Sequence, residues 1–204
     1  MDKAIALLSG GIDSPVAIQL MQNRLEIVAV HFHQKPLSSE VEIDKVKKLC
    51  SILKVKKIYL IPFVEVLKGL VEKCSHRDYF ILQKIMMLKT AEKIAEQEGA
   101  KYLITGENLA QVSSQTLSNL TTITKHVSME IFRPVLTYDK QEIITVAKNI
   151  GTYETSQGPE ICCLLGPKHP ATKSDPDAIG KELEKVEVEE LTMESLKKGE
   201  IITF

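Results

Sequence analysis

The stretch from Lys3 to Met21, KAIALLSGGIDSPVAIQLM, constrains the fold of this chain more than any other. An apolar run ends in Ser9-Gly10-Gly11-Ile12-Asp13-Ser14, and a helical pattern then begins. A buried strand that passes through a glycine–serine turn and leaves as a helix aims backbone N–H groups at the turn. Those groups and the helix dipole attract an anion, usually phosphate. Gly10 and Gly11 let the backbone approach closely and adopt dihedrals closed to other residues. Ser9 and Ser14 add hydroxyl donors. Asp13 would repel a bare phosphate, so it fits as a helix cap or as partner for a magnesium-bound one. The spacing is neither G-x-x-x-x-G-K-[ST] nor G-x-G-x-x-G. Read locally, the same residues also make a tight capped turn without a ligand.

Strand and helix signals alternate beyond this turn. Ala4 to Leu8, Ile27 to Phe32, Lys57 to Ile61, Tyr102 to Thr105 and the stretch near Glu130 to Phe132 read as strands. Between them, Pro15 to Gln22, Glu40 to Leu53, a segment from Val64, and Asp78 to Glu98 read as helices. Gly99 sits where a left-handed C-cap belongs, and Asp139 with Glu142 has the form of a capping box. The alternation predicts an α/β fold: a doubly wound, mostly parallel, five-stranded, Rossmann-like sheet. Residues 1–174 form the expected domain. From about Asp175 the composition turns acidic, which predicts a peripheral helical tail over 175–204.

No run approaches the roughly 18 apolar residues of a membrane span, and no signal-peptide pattern opens the chain. A cytoplasmic, membrane-free protein is the expectation. The net charge of −1 excludes broad electrostatic attraction to nucleic acid, though not a local basic rim. Cys50, Cys74, Cys162 and Cys163 lack C-x-x-C spacing, so neither a disulfide framework nor a structural metal is expected. Cys162 and Cys163 stand adjacent in a glycine- and proline-flanked loop, SQGPEICCLLGPKHP, less typical of a core.

SGGIDS resembles the pyrophosphate-binding loop of the PP-loop (N-type) ATP pyrophosphatases, which have an adenine nucleotide alpha hydrolase-like fold. Further segments narrow the likeness: GAKYLITGENLAQVSSQTLSNL, RPVLTYDKQEII, IGTYETS and PEICCLLGPKHPATK. Together they resemble the catalytic domain of the tRNA 4-thiouridine synthetase (ThiI) family, in order, from about Lys3 to Lys173. The resemblance implies an ATP-dependent sulfurtransferase. ATP adenylates the carbonyl oxygen of a tRNA uridine with release of pyrophosphate, and a cysteine persulfide delivers sulfur to the activated carbon.

The resemblance places ATP contacts on Leu7, Leu8, His31, Phe32, Lys84, Gly106 and Gln115, beside Ser9, Gly10, Gly11, Asp13 and Ser14 of the loop. ATP with Mg2+ is the implied cofactor set, and Asp13 the implied metal-facing carboxylate. Locally, Phe32 also reads as a core aromatic, Lys84 as a surface cation, and Ser113 and Ser114 as caps of the next helix. The family often has Lys-Arg-Met-Met where this chain has Gln83-Lys84-Ile85-Met86. Cys162, matching the family's Pro-Glu-x-Cys, is the first choice for sulfur carrier and Cys163 the second. Thiolate and persulfide suit the task because both are strong nucleophiles near neutral pH.

The family's THUMP and rhodanese segments have no counterpart in this sequence. A separate RNA-binding subunit, a sulfur donor protein of cysteine desulfurase or rhodanese type, and a homodimer are therefore the implied partners, with tRNA as substrate. Two other readings keep the same loop: a PP-loop ligase or amidotransferase adenylating another substrate, and a non-catalytic ATP-binding module.

Overall fold

A computed structural model describes residues 1–37, 40–109, 112–158 and 165–204. Ser113 is described by its backbone alone. The strands are β1 (Asp2–Leu7), β2 (Leu25–His33), β3 (Lys57–Pro62), β4 (Tyr102–Ile104), β5 (Glu130–Phe132) and β6 (Glu200–Thr203). The helices are α1 (Asp13–Met21), α2 (Glu40–Leu53), α3 (Val64–Lys73), α4 (Tyr79–Glu98), α5 (Leu117–Lys125), α6 (Lys140–Asn149), α7 (Tyr153–Ser156), α8 (Pro176–Leu183) and α9 (Val188–Lys197).

The strands form one sheet in the order β5-β4-β1-β2-β3-β6, parallel except for β6, which pairs antiparallel with β3. β1 is central, and its side chains divide between the two faces as a strand's period of two requires. Ile5 and Leu7 pack with α3, α4 and α8 on one face. Ala4, Ala6 and Leu8 pack with α1, α2 and α6 on the other. Burial on both faces explains why β1 to β3 read as continuous apolar runs.

On α4, Ile81, Leu82, Ile85, Leu88, Ala91, Ile94 and Ala95 are all buried, and each of the larger side chains contributes about 1.5–3 kcal/mol. Gly99 closes this helix at φ 64°, the left-handed cap expected of it. Asp139 and Glu142 make the full capping box of α6.

The expectation of five strands misses β6. Residues 175–204 fold as α8, α9 and this edge strand, and Ile179, Leu183 and Val186 join the buried core beneath α4. The tail is acidic on its outer surface only, because its apolar residues fall on one side of each helix.

Candidate functional site

From β1 the chain winds toward β2 and β3, whereas β4 and β5 lie on the opposite side of β1. The reversal opens a crevice at the carboxyl ends of β1 and β4, where open parallel sheets bind ligands. The loop from Leu8 to Ile12 lies at this point.

α1 starts without a side-chain cap at Ile12, and among the described residues no side chain accepts from its first-turn amides. The two loop serines bond each other instead. Ser9 N–H donates to Ser14 Oγ at 2.9 Å, the two hydroxyl oxygens lie 3.0 Å apart, and Gly11 N–H donates to Ser9 Oγ at 3.2 Å. The serines thereby fix the loop's shape and leave the helix dipole to face the crevice. Neither Gly10 nor Gly11 has a positive φ, contrary to the expectation that they adopt dihedrals closed to other residues. A side chain at position 10 would instead press on a neighbouring lysine.

Gly106, just after β4, supports the loop from beside it. A methyl group there would lie 2.5 Å from Ser14 N, 2.6 Å from Ser14 Cα and 2.8 Å from Asp13 C. The residue is glycine because the backbone of the β4 loop touches the backbone of the α1 N-terminus. Glu107, next in sequence, was not anticipated and is the most enclosed charge of the site, 2% exposed. Its Oε2 accepts from Arg133 Nε at 2.7 Å and Thr105 Oγ1 at 3.0 Å, and its Oε1 lies 3.8 Å from Lys84 Nζ. Burial pushes its carboxyl up, but the Lys84 and Arg133 charges and the two hydrogen bonds prevail and hold it below the usual range. Lys84, expected to face phosphate freely, is thus partly balanced by a carboxylate.

His31 lies near the carboxyl end of β2 and is 3% exposed. Burial lowers its pKa to about 4, so the ring is neutral at physiological pH. Its Nδ1 lies 2.9 Å from Leu8 O, which fixes that nitrogen as the donor because a carbonyl only accepts. Its Nε2 faces Glu42 Oε1 at 3.8 Å and has no hydrogen-bond partner. Leu8 N–H donates to Val30 O at 2.9 Å, so both backbone groups of Leu8 are engaged within the protein. The Leu7 and Leu8 side chains belong to the core, and Phe32 packs on Phe63 with ring centroids 4.8 Å apart. Gln115 Oε1 accepts from Asn108 N–H at 3.2 Å, orienting the loop after β4. The cap of α5 is Thr116, whose side chain accepts from Asn119 N–H.

Asp13 stands in the first turn of α1 and pairs with Lys140 Nζ at 3.0 Å. It is one carboxylate beside one dipole. Among the described residues no cluster of three or more His, Cys, Asp or Glu is arranged for a metal. This donor set fits Mg2+ held by a nucleotide's phosphates with a single protein carboxylate, the usual mode for that ion, and not a resident metal.

Cys162 and Cys163 lie outside the described residues. Burial pushes the Cys50 thiol up to about 12 and raises that of Cys74 as well, so neither is poised as a nucleophile. Among the described residues no helix is long and apolar enough to cross a membrane.

Comparison with known proteins gives consistent results. The sequence profile of the family described as "Thiamine biosynthesis protein (ThiI)" matches residues 1–188. A probable tRNA sulfurtransferase of Caldanaerobacter subterraneus is 44% identical over 192 residues, covering 91% of this chain and 50% of that protein. One of Thermus thermophilus is 40% identical over 209 residues, covering 99% of this chain and 52% of its own length. The chain spans about half the length of the curated relatives it matches. Among solved structures, a 4-thiouridine synthetase–RNA complex with bound ATP superposes with a TM-score of 0.95 at 34% identity, over 100% of this chain and 55% of that one. An NMN synthetase from Francisella tularensis shares the fold at 16% identity and TM-score 0.61, over 94% of this chain and 75% of that one.

Proposed function

The chain belongs to the ThiI family, and from that premise we propose that it is the ATP-dependent catalytic unit of a tRNA sulfurtransferase that forms 4-thiouridine. The observation that carries this reading is the likeness of the whole chain, at a TM-score of 0.95, to a 4-thiouridine synthetase that binds ATP and RNA. The local geometry supports it, because the α1 N-terminus opens without a side-chain cap onto the β1–β4 crevice.

In this reading the uridine carbonyl oxygen attacks the α-phosphorus of ATP. Pyrophosphate leaves onto the α1 N-terminus and the loop amides not already committed to Ser9 Oγ and Ser14 Oγ, which stabilise its charge. The α1 dipole and the loop serines give that anion a preformed seat, and the Gly106 contact holds the seat in register with β4. Mg2+ would be held by Asp13 and the phosphates, and supplies charge neutralisation on the leaving group. Leu7, Leu8, His31 and Phe32 form the adenosine side of the crevice, with Lys84, Gly106 and Gln115 opposite. His31 acts by locking Leu8 in place, since its Nδ1–H is committed to Leu8 O.

Sulfur arrives as a persulfide on Cys162, with Cys163 as the other candidate. The terminal persulfide sulfur attacks the adenylated carbon and AMP departs. A second thiol then attacks the carrier sulfur, releasing thiouridine and leaving a disulfide. A dithiol reductant returns the disulfide to two thiols, and the carrier thiolate then takes the outer sulfur of a persulfide on a donor protein of desulfurase or rhodanese type, whose own thiol leaves. The net charge of −1 gives little general pull on a polyanion, so RNA docking draws on a separate RNA-binding subunit. A homodimer in the cytoplasm completes the proposal.

The test is to supply ATP, Mg2+, unmodified tRNA and a persulfide donor. Products are then read by nucleotide chromatography and by mass spectrometry of tRNA nucleosides. AMP, pyrophosphate and 4-thiouridine are expected together; ADP with orthophosphate rejects the chemistry.

A further inference from the structure

Lysines of α6, α4 and α2 bear on the loop or on the segment packed beside it. Lys140 is paired with Asp13, and Lys84 faces Glu107. The third, Lys45, projects from the second turn of α2 and comes over Gly10. A methyl group built on Gly10 would lie 3.2 Å from Lys45 Cδ and 3.5 Å from both Cε and Nζ. One carbon–carbon bond further, the ammonium is within about 5 Å of the Gly10 Cα. Lys45 is half-buried, and among the described residues its ammonium makes no hydrogen bond or ion pair. A lysine that lays its methylenes across a backbone and keeps its charge unneutralised beside that backbone is placed to meet an anion seated there. A side chain on Gly10, whose φ does not require glycine, would press on Lys45 and shift it by a few tenths of an ångström.

We propose that Lys45 is a pyrophosphate-binding residue: with the loop amides below and this ammonium above, it holds the leaving group as adenylation proceeds. The inference rests on the assignment of the loop to pyrophosphate made above and adds the cation that the loop itself lacks. In the P-loop of other nucleotide-binding proteins a lysine inside the motif meets the phosphates. Here the motif has none, and α2 supplies it from a separate element. The consequence is a division of labour: Lys45 discriminates for the pyrophosphate half of the nucleotide and leaves the AMP half untouched.

The experiment measures binding of inorganic pyrophosphate with Mg2+, and separately of AMP, to the full chain by titration calorimetry. It compares the unaltered protein, Lys45→Met and Lys45→Arg. Loss of one charged contact weakens pyrophosphate binding about tenfold in Lys45→Met, while AMP binding stays unchanged and Lys45→Arg recovers most of the loss. Equal weakening of both ligands would mark general damage to the loop and overturn the proposal. Pyrophosphate binding in Lys45→Met equal to that of the unaltered protein would overturn it too, with the loop assignment left standing. Absence of pyrophosphate binding to the unaltered protein removes the loop assignment itself, and this inference with it.

Discussion

Replacing Gly106 by alanine tests whether the loop's register depends on backbone contact with β4. The added methyl would lie 2.5 Å from Ser14 N, whereas contacts below 3.0 Å essentially never persist, so backbone must move. To reach an ordinary separation of 3.4 Å, α1 and the β4 loop must part by roughly 0.9 Å. No flexible side chain can yield in their place, since every near atom belongs to main chain. Overpacking of this kind costs about 1–3 kcal/mol. For a chain of this length each kcal/mol lowers the melting midpoint by about 2–4 °C, so a fall of about 2–12 °C is expected. The same displacement moves the amides that receive pyrophosphate. A shift near 1 Å at a site of this kind reduces kcat/KM about a hundredfold. Gly69→Ala is the control: its methyl meets only Leu191 Cδ1, at an ordinary 3.5 Å, inside helix α3. It should be neutral or stabilising by up to about 1 kcal/mol, with kinetics intact. The assays are thermal unfolding and ATP–pyrophosphate exchange. A Gly106→Ala variant that melts and exchanges like the unaltered protein would refute the reasoning.

The remaining predictions concern the buried charges and the thiols. Glu107→Gln leaves the Arg133 and Lys84 charges without their carboxylate and should cost about 3 kcal/mol. Because the Glu107 carboxyl sits below its ordinary range when folded, its contribution is full above that range and is lost as pH falls through the lowered value. Melting curves between pH 3 and 7 should show that acid loss reduced in the variant; an unreduced loss would assign it to other groups. His31 acts in the same direction over a higher pH window, since its folded pKa of about 4 lies below the unfolded 6.5. Unfolded chains bind the proton first, so stability falls as pH drops from about 6.5 to 4, by about 3 kcal/mol in all. His31→Asn, which keeps a donor toward Leu8 O, should flatten that window, and an unchanged slope would contradict the assignment. Cys162→Ala with Cys163→Ala should release pyrophosphate and leave AMP attached to the tRNA uridine, with no 4-thiouridine, as mass spectrometry of the tRNA reads; full thiolation would move the sulfur chemistry elsewhere.

What the sequence makes legible here follows from the range of the interactions involved. The strand–loop–helix at residues 2–21, the Gly99 cap and the Asp139–Glu142 box are set within a few residues, and each appears where its local chemistry predicts. The crossover from β3 to β4 is readable for the same reason, since α4 carries its apolar face openly. β6 is not: it has four residues, follows an acidic stretch, and exists only because the exposed edge of β3 accepts it. Glu107 is invisible for a related reason. In a polar loop a glutamate reads as solvated, and its burial arises only when Lys84 from α4 and Arg133 from beyond β5 converge on it.

The glycines separate the two kinds of information most clearly. Gly10 stands in the SGGIDS motif and Gly106 in the segment after β4, and neither has a positive φ that would demand glycine. One makes room for a lysine 35 residues away in sequence, the other for a helix N-terminus 92 residues away. A loop built from such contacts owes its shape to the elements packed around it. Substitutions at Lys45 or Gly106 should therefore alter pyrophosphate handling as strongly as substitutions of the loop serines. That ranking is the one expected of a preorganised anion seat and is not expected of a turn that folds around its ligand.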